Sequence, residues 1–454
     1  MTDFTAGVCM RGWALAAAAA ALLAASGGLA AAGGAQPFAG AVVFLLVAAV
    51  GGLFLLRAEA GVCALLVVRP ALDVFGTRGG PAAAAGLALI ALIACAGWAL
   101  LHLRDARTAP AVTAVLPLVA AVLVSSALSA APFASLALAA PVCASLAVYA
   151  TVGVLLARGM DPRLLVAAVL AGCVAPAVVG LSQSARAEGW IGPDGIARAQ
   201  GTFAHPNPFG ATLALGLVLL VVLVQSHRAL VRIAACVGAL PLLHLLAASG
   251  SRSAWLAAGI GVLAVMARRS LRHAAAAVAV MAVLFATPVA QERLGDLSST
   301  RQLNGKAANS AVWRIDYGSA ALELAARSPV TGLGLGGVAR ASATGKDPHN
   351  DAVRVVVDLG AVGVLAYGAL VVHLLRRFTA EWGRPPTVGG SCALGAIGAA
   401  AVLSLSTNFL GSFAVMTPVL AICAIAHGDG ARRLAGSTGV PGASVASPAP
   451  APGP

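Results

Sequence analysis

Apolar runs separated by short polar links recur along almost the whole chain. They cover roughly 13–33, 38–56, 58–75, 82–103, 110–130, 134–157, 163–182, 208–226, 229–248, 253–267, 273–290, 353–375, 388–407 and 410–427. About twenty apolar residues in helical conformation are enough to cross the hydrocarbon core of a bilayer. The runs show no period-2 alternation, and backbone in hydrocarbon must satisfy its own hydrogen bonds, so the pattern predicts helices and not a closed barrel. The expected fold is all-α, a polytopic transmembrane helical bundle of about 12–14 spans with one large extracytoplasmic loop. The first run also fits a secretory signal, with Arg11, an Ala/Leu core and small residues around Ala32–Ala35. Its core is longer than a typical signal core, which favours a retained helix. The run 58–75 carries Arg69 and Asp73 and is the weakest span.

Two links are too long to be turns, 183–207 and 291–352. Long connections are where function concentrates. The chain therefore divides into N-terminal transmembrane helices (1–182), core helices with a short outer loop (183–290), the large extracytoplasmic loop (291–352) and C-terminal transmembrane helices (353–435). The remaining 436–454 is rich in Pro, Ala, Gly and Ser and reads as a disordered tail.

Composition agrees with lipid as the solvent: 60% of residues are hydrophobic, only 10% are charged, and mean hydropathy is +0.93. The formal net charge of +13 does not make this a nucleic-acid binder. Its arginines sit in short links between apolar runs and form no basic stripe with interleaved aromatics. Arg57, Arg104, Arg107, Arg158, Arg163, Arg228, Arg232, Arg268, Arg269, Arg272, Arg376, Arg377, Arg384, Arg432 and Arg433 fall on one side if 58–75 crosses or re-enters, and Arg78 dissents. The positive-inside rule makes that side cytoplasmic and both termini with it. The eight cysteines lie almost all in apolar runs without CxxC spacing, so neither disulfides nor zinc are indicated.

Polar residues that membrane packing does not require gather on the opposite face. QGTFAHPNPFG (200–210) precedes a span and sets His205 and Asn207 at the bilayer edge, where Asn207 could equally cap the helix. SGSRSAW (249–255) is a tight turn whose Arg252 is on the wrong side for the positive-inside rule. It is either a snorkelling helix-end arginine or an anion fork. In AVWRIDYGSAALELAARSPVTGLGLGG (311–337), Trp313, Tyr317, Ala320 and Leu324 recur at helical spacing. That pattern predicts an amphipathic helix along the membrane surface, ended by Ser328–Pro329, with Arg314 and Asp316 on its polar side. Gly332, Gly334 and Gly337 match GxGxxG, but no strand precedes them and no acidic residue follows in a βαβ frame, so they read as a flexible turn. In DPHNDAVRVVVDLGAVG (347–363), Asp351, Arg354 and Asp358 share one helix face and read as a structural charge cluster. His349, without a partner at helical spacing, is the candidate proton acceptor, with Asn350 beside it.

In this order, GTFAHPN (201–207), SGSRSAW (249–255), the Arg-bearing helix with SPVTGLGLG (328–336) and HNDAVRVVVDLGAVG (349–363) resemble the O-antigen ligase family, which includes O-antigen polymerases. The resemblance implies a metal-independent, inverting transfer from an undecaprenyl-diphosphate-linked glycan to an acceptor hydroxyl on glycan, lipid or protein. The reaction would proceed without a cofactor, at the outer face of the cytoplasmic membrane. It further implies that Arg252 and Arg314 hold the diphosphate and that His349 is the base. His205, Asn207, Asn350 and Asp316 become candidate substrate-binding residues. This sequence departs from the family in carrying Tyr317 where Trp is usual and an acidic residue after Asn350. A polymerase, which takes a second lipid-linked glycan as acceptor, has the same signature. A transporter or flippase would instead place charges or broken helices at mid-membrane in paired halves. Only His244, Arg69 and Asp73 depart from the one-faced pattern.

Overall fold

The computed structural model describes residues 46, 48–54, 56–79, 82–102, 109–192, 195–286, 291, 295, 302–303, 306–307, 310–342 and 345–427. The run 13–33, most of 38–56, the links bearing Arg104, Arg107, Arg432 and Arg433, and the tail 436–454 lie outside the described residues.

The chain is an all-α polytopic bundle. In order come α1 (Ala58–Gly79), α2 (Ala82–Leu101), α3 (Pro110–Ala127), α4 (Pro132–Ala157), α5 (Pro162–Ala185), α6 (Pro206–Val224), α7 (Ala229–Ser249), α8 (Arg252–Arg269) and α9 (Leu271–Phe285). A lateral helix α10 (Ser310–Glu323) follows, then α11 (Asp351–Trp382), α12 (Val388–Ser406) and α13 (Phe413–Cys423). Among the described residues, seven helices (α3 to α7, α11 and α12) are long and apolar enough to cross a membrane. Proline opens α3, α4, α5 and α6, where its missing N–H would have no intrahelical partner anyway and its fixed φ suits the first turn. Two short hairpins, Trp190–Ile191 with Ala197–Arg198 and Gln302–Leu303 with Lys306–Ala307, are the strands among the described residues.

α8 packs between α6 and α12, α7 lies on α6, α3 on α4, and α13 on α4. Small side chains are frequent in the packed face of α12, where buried Ala and Gly recur from Gly390 to Ala400. Such residues let helix backbones approach closely where lipid supplies no hydrophobic drive between helices.

One helix is interrupted. α11 begins as a short helix, Asp351–Arg354, continues as a π-helical stretch, Val355–Leu359, and resumes at Gly360. The segment 329–334 docks alongside the interruption. Leu333 and Gly334 donate to the carbonyls of Val357 and Asp358, while Ala361 and Val362 donate to those of Pro329 and Val330. Irregular backbone at membrane depth is tolerated where protein buries it and satisfies its polar groups. The glycine-rich stretch is therefore a turn, as the sequence suggests, but it is pinned by these bonds. Gly332, Gly334 and Gly336 all adopt left-handed φ. The N–H groups of Gly336 and Val338 converge on the carboxylate of Asp358 at 3.0 and 2.9 Å.

Candidate functional site

The described parts of the loops 186–206, 249–251, 324–350 and 407–412 meet at one end of the bundle. The first is fixed by Gln183, whose side-chain oxygen accepts the N–H groups of Gln200 and Gly201 at 3.0 and 2.9 Å. Ala199 N–H donates to Ala248 O at 3.1 Å, tying the loop to the end of α7. Gly210 lets the start of α6 press against the α7–α8 turn. A Cβ there would lie 2.8 Å from that of Ala254 and 3.1 Å from that of Ser251. Sequence motifs some forty residues apart are thereby brought side by side.

His205 is the residue that caps α6. Its backbone is extended and its Nδ1 accepts the N–H of Asn207 at 3.2 Å. Asn207, the other candidate cap, falls inside the first turn because Pro206 already occupies the first helical position. The His205 ring lies 4.8 Å from that of Trp190, and Arg198 stands over Trp190 at 5.4 Å. Arg252 opens α8, directly after the turn that Trp255 locks by donating from Nε1 to Leu246 O at 2.7 Å.

The predicted surface helix is present as α10, continuing in a tighter turn to Arg327 before Ser328. Its buried side runs through Tyr317 and Ala321, whereas Ala320 is exposed. The Tyr317 hydroxyl donates to Lys346 O and shares a second hydrogen bond with the Ser342 hydroxyl, holding the strap that leads to His349. Arg314 is half-buried on this helix, and burial together with the nearby charge of Arg252 lowers its pKa. Asp316 is exposed and does not line the cavity described below.

Asn350 caps the next helix, its Oδ1 accepting from Ala352 and Val353 N–H at 2.9 and 3.3 Å. The charge cluster differs from the expected one. Arg354 does pair with Asp358 at 3.5 Å, but its second carboxylate is Asp347, also at 3.5 Å. Asp351 instead accepts the N–H of Leu410 at 2.9 Å. The non-helical strap before Asn350 can fold back over Arg354, a contact that helical spacing does not reveal.

At this end lies a cavity of about 440 Å³ lined by His205, Asn207, His349, Lys346, Asp347 and, from the α12–α13 region, Thr407, Asn408, Phe409, Ser412 and Val415. Burial drives the His349 pKa down to about 4. The positive charges of Arg314 and Lys346, and that of His205 whenever it is protonated, push the same way, against Asp347. His205 is lowered too, by burial first and then by Arg198, Arg314 and Lys346. Both imidazoles are thus neutral at physiological pH and stand in a field of cations. A neutral imidazole can accept a proton, and the surrounding cations suit an anionic group.

The structure brings His205, Asn207 and His349 together in one cavity, with Arg314 close enough for its charge to act on both histidines and Arg252 close enough to act on Arg314. Lys346, Asp347 and the 407–412 link were not among the sequence candidates, and neither was the Trp190–Arg198 hairpin. Residues 237–368 match the family model described as O-antigen ligase. That segment is 132 of the chain's 454 residues, and its similarity supports assignment to the O-antigen ligase family. Arg252, Arg314, Asp316, His349 and Asn350 fall inside the matched O-antigen ligase segment, while His205 and Asn207 precede it. No curated protein matches the chain. The match supports glycosyl transfer of the ligase and polymerase kind in general, a family role that implies a lipid-linked glycan and an acceptor as partners in a membrane.

Proposed function

We propose that this chain transfers a glycan from an undecaprenyl-diphosphate-linked donor to an acceptor hydroxyl at the outer face of the cytoplasmic membrane. The observation that carries the reading is His349, held neutral inside a cavity where the charges of Arg314 and Lys346 outweigh that of Asp347. In this scheme a ring nitrogen of His349 takes the proton of the acceptor hydroxyl. The freed oxygen attacks the anomeric carbon from the side opposite the diphosphate, and the anomeric C–O bond breaks with inversion. Undecaprenyl diphosphate leaves with the bonding pair. Arg252 and Arg314 hold the diphosphate and stabilise the charge that grows on it. His205 and Asn207 line the cavity as substrate contacts. Asn350 and Asp316, capping and exposed respectively, lie at the edge of this scheme.

The reaction as written needs no metal ion, and activity is expected to survive EDTA. The arginine-rich end is cytoplasmic in this reading, together with both termini. The division into 1–182, 183–290, 291–352 and 353–435 follows, the large loop being extracytoplasmic.

The test is glycan transfer in proteoliposomes at matched expression. Arg252→Lys and Arg314→Lys should each lose about two orders of magnitude in rate, roughly 3 kcal/mol, because a point charge cannot reproduce a bidentate fork. His349→Ala should lower turnover and leave donor binding mostly intact. Near-normal rates in both Lys variants would return the arginines to membrane anchoring. Deletion of the gene separates the two members of the class: full-length lipid-linked chains accumulate without a ligase, single repeat units without a polymerase.

A further inference from the structure

At the end of the bundle away from the His349 cavity, α8 and α11 leave a groove of about 500 Å³ between them. Ile260, Leu263, Ala264 and Ala267 form its α8 side, and Phe378 and Trp382 its α11 side. The four α8 residues fall at i, i+3, i+4 and i+7, one stripe of the helix, and run about 10 Å along its axis. α12 packs against both helices. Beyond the groove their ends are tied together. Arg268 lies 3.9 Å from buried Glu381 and donates to the carbonyls of Arg384 and Pro385 at 3.4 and 3.0 Å. That tie sets the separation of the two helices.

The depth of the groove in a bilayer can be read from its own residues. Trp382 stacks on Phe378 at 5.7 Å and stays half-exposed. A tryptophan at the end of a membrane-crossing helix belongs at headgroup level, which puts the rest of the groove among acyl chains. Arginines gather at the same level. α8 ends in Arg268 and Arg269, Arg272 follows in α9, and Arg376, Arg377 and Arg384 flank the end of α11. Across 252–286 and 360–390 the one carboxylate is Glu381. Arg268 and Arg384 share it, which leaves a surplus positive charge. Arg268 is buried, so Arg384 is the member of the pair that reaches the surface.

We propose that this groove binds an anionic phospholipid from the leaflet on the arginine-rich side. One acyl chain lies along the α8 stripe against Phe378 and Trp382, and the headgroup meets Arg384. An apolar slot with surplus cations at its mouth complements a lipid that joins an apolar chain to a net negative head. A zwitterionic lipid fills the slot as well but gains little from the arginines. The opposite ends of these two helices carry Arg252 and follow directly on Asn350, so a bound lipid braces the elements that present the site.

The test measures quenching of Trp382 fluorescence in the full chain, taken as wild type minus Trp382→Phe. The vesicles are phosphatidylcholine doped with a lipid brominated on its acyl chains. Brominated phosphatidylglycerol should half-quench at a mole fraction roughly fivefold lower than brominated phosphatidylcholine, the ratio expected for one surplus arginine near the surface. Arg384→Gln should bring that ratio close to one and leave quenching by phosphatidylcholine as it was. Ala267→Phe, which fills the groove, should weaken quenching by the anionic lipid and also bring the ratio close to one. Should Ala267→Phe fail to fold, Arg384→Gln decides alone. Equal half-quenching by the two lipids in the wild type means ordinary bilayer contact only and overturns the proposal. Quenching by neither shows that protein, such as a second copy of the chain, covers the groove, and overturns it too. A fivefold ratio that persists in Arg384→Gln, or in folded Ala267→Phe, places the anionic lipid elsewhere.

Discussion

Replacing Gly360 by alanine should unseat the docked segment at the interruption of α11. Gly360 adopts φ +63° and ψ −161°, a region essentially closed to residues with a side chain. A Cβ added there would lie 2.5 Å from Gly332 N, 2.5 Å from Val330 O and 2.6 Å from Val330 C. All three are backbone atoms, so no rotamer change relieves the clash; the segment itself must move. Forcing alanine into that conformation costs about 1–3 kcal/mol. Moving the segment breaks the nearest bonds, Ala361 N–H to Pro329 O at 2.9 Å and Val362 N–H to Val330 O at 3.2 Å. Each is worth about 0.5–1.5 kcal/mol, so the expected loss is about 2–6 kcal/mol in all. Gly368, on the same helix, is the control: an added Cβ finds nothing within 4 Å. There alanine should be neutral or stabilising by up to about 1 kcal/mol. Thermal unfolding in detergent, followed by size-exclusion of the surviving protein, measures both. Wild-type stability for Gly360→Ala, or an equal fall for Gly368→Ala, would refute the reasoning.

The pH dependence follows from His349. Its pKa is lowered by burial and cations to about 4 from the ordinary 6.5, so the base form persists in acid and is lost only as pH falls through the lower value. The acid limb of kcat/KM should therefore lie near pH 4, and a limb between pH 6 and 7 would show that another group is being titrated. Arg354→Met should destabilise by about 3–5 kcal/mol, because it leaves buried Asp358 without its cation. Adding Asp358→Asn should recover part of that loss in the same melting assay. A reporter fused after Arg340 should be extracytoplasmic and one after Arg384 cytoplasmic, and signals from the same side would refute this topology and the site assignment with it.

Much of the bundle could be read from hydropathy because membrane helices carry their own signal. The run 110–130 became Pro110–Ala127, 163–182 became Pro162–Ala185 and 388–407 became Val388–Ser406. The weak run 58–75 is a helix to Gly79, and its buried Arg69 stands 5.5 Å over the Phe413 ring instead of in lipid. The candidate site was legible where a polar residue was out of place locally, as with Arg252, His205 and His349. It was not legible where the chemistry depends on contacts far apart in sequence. Nothing near the 407–412 link marks it as a wall of the cavity, because it is set there by Leu410 meeting Asp351, fifty-nine positions away. The pairing of Arg354 with Asp347 was hidden for a related reason, since helical spacing offered Asp351 and the strap supplied a competitor. The interruption at 355–359 also escaped notice, because VVVDL has no proline and reads as ordinary apolar helix.

Where the glycine turn ends, the N–H groups of Gly336 and Val338 point at one place, a pair of amides of the sort that other folds offer to phosphate. Here the protein supplies its own guest, the carboxylate of Asp358. The likeness to a nucleotide-binding fingerprint is thus chemically real, although the receptor is occupied from within. An Asp358→Ala chain would expose a vacant anion receptor beside Arg354, and soaking it with inorganic phosphate becomes a route to chemical rescue. Recovery of melting temperature with rising phosphate, absent in the wild type, would turn an internal tether into a site that solution anions can fill.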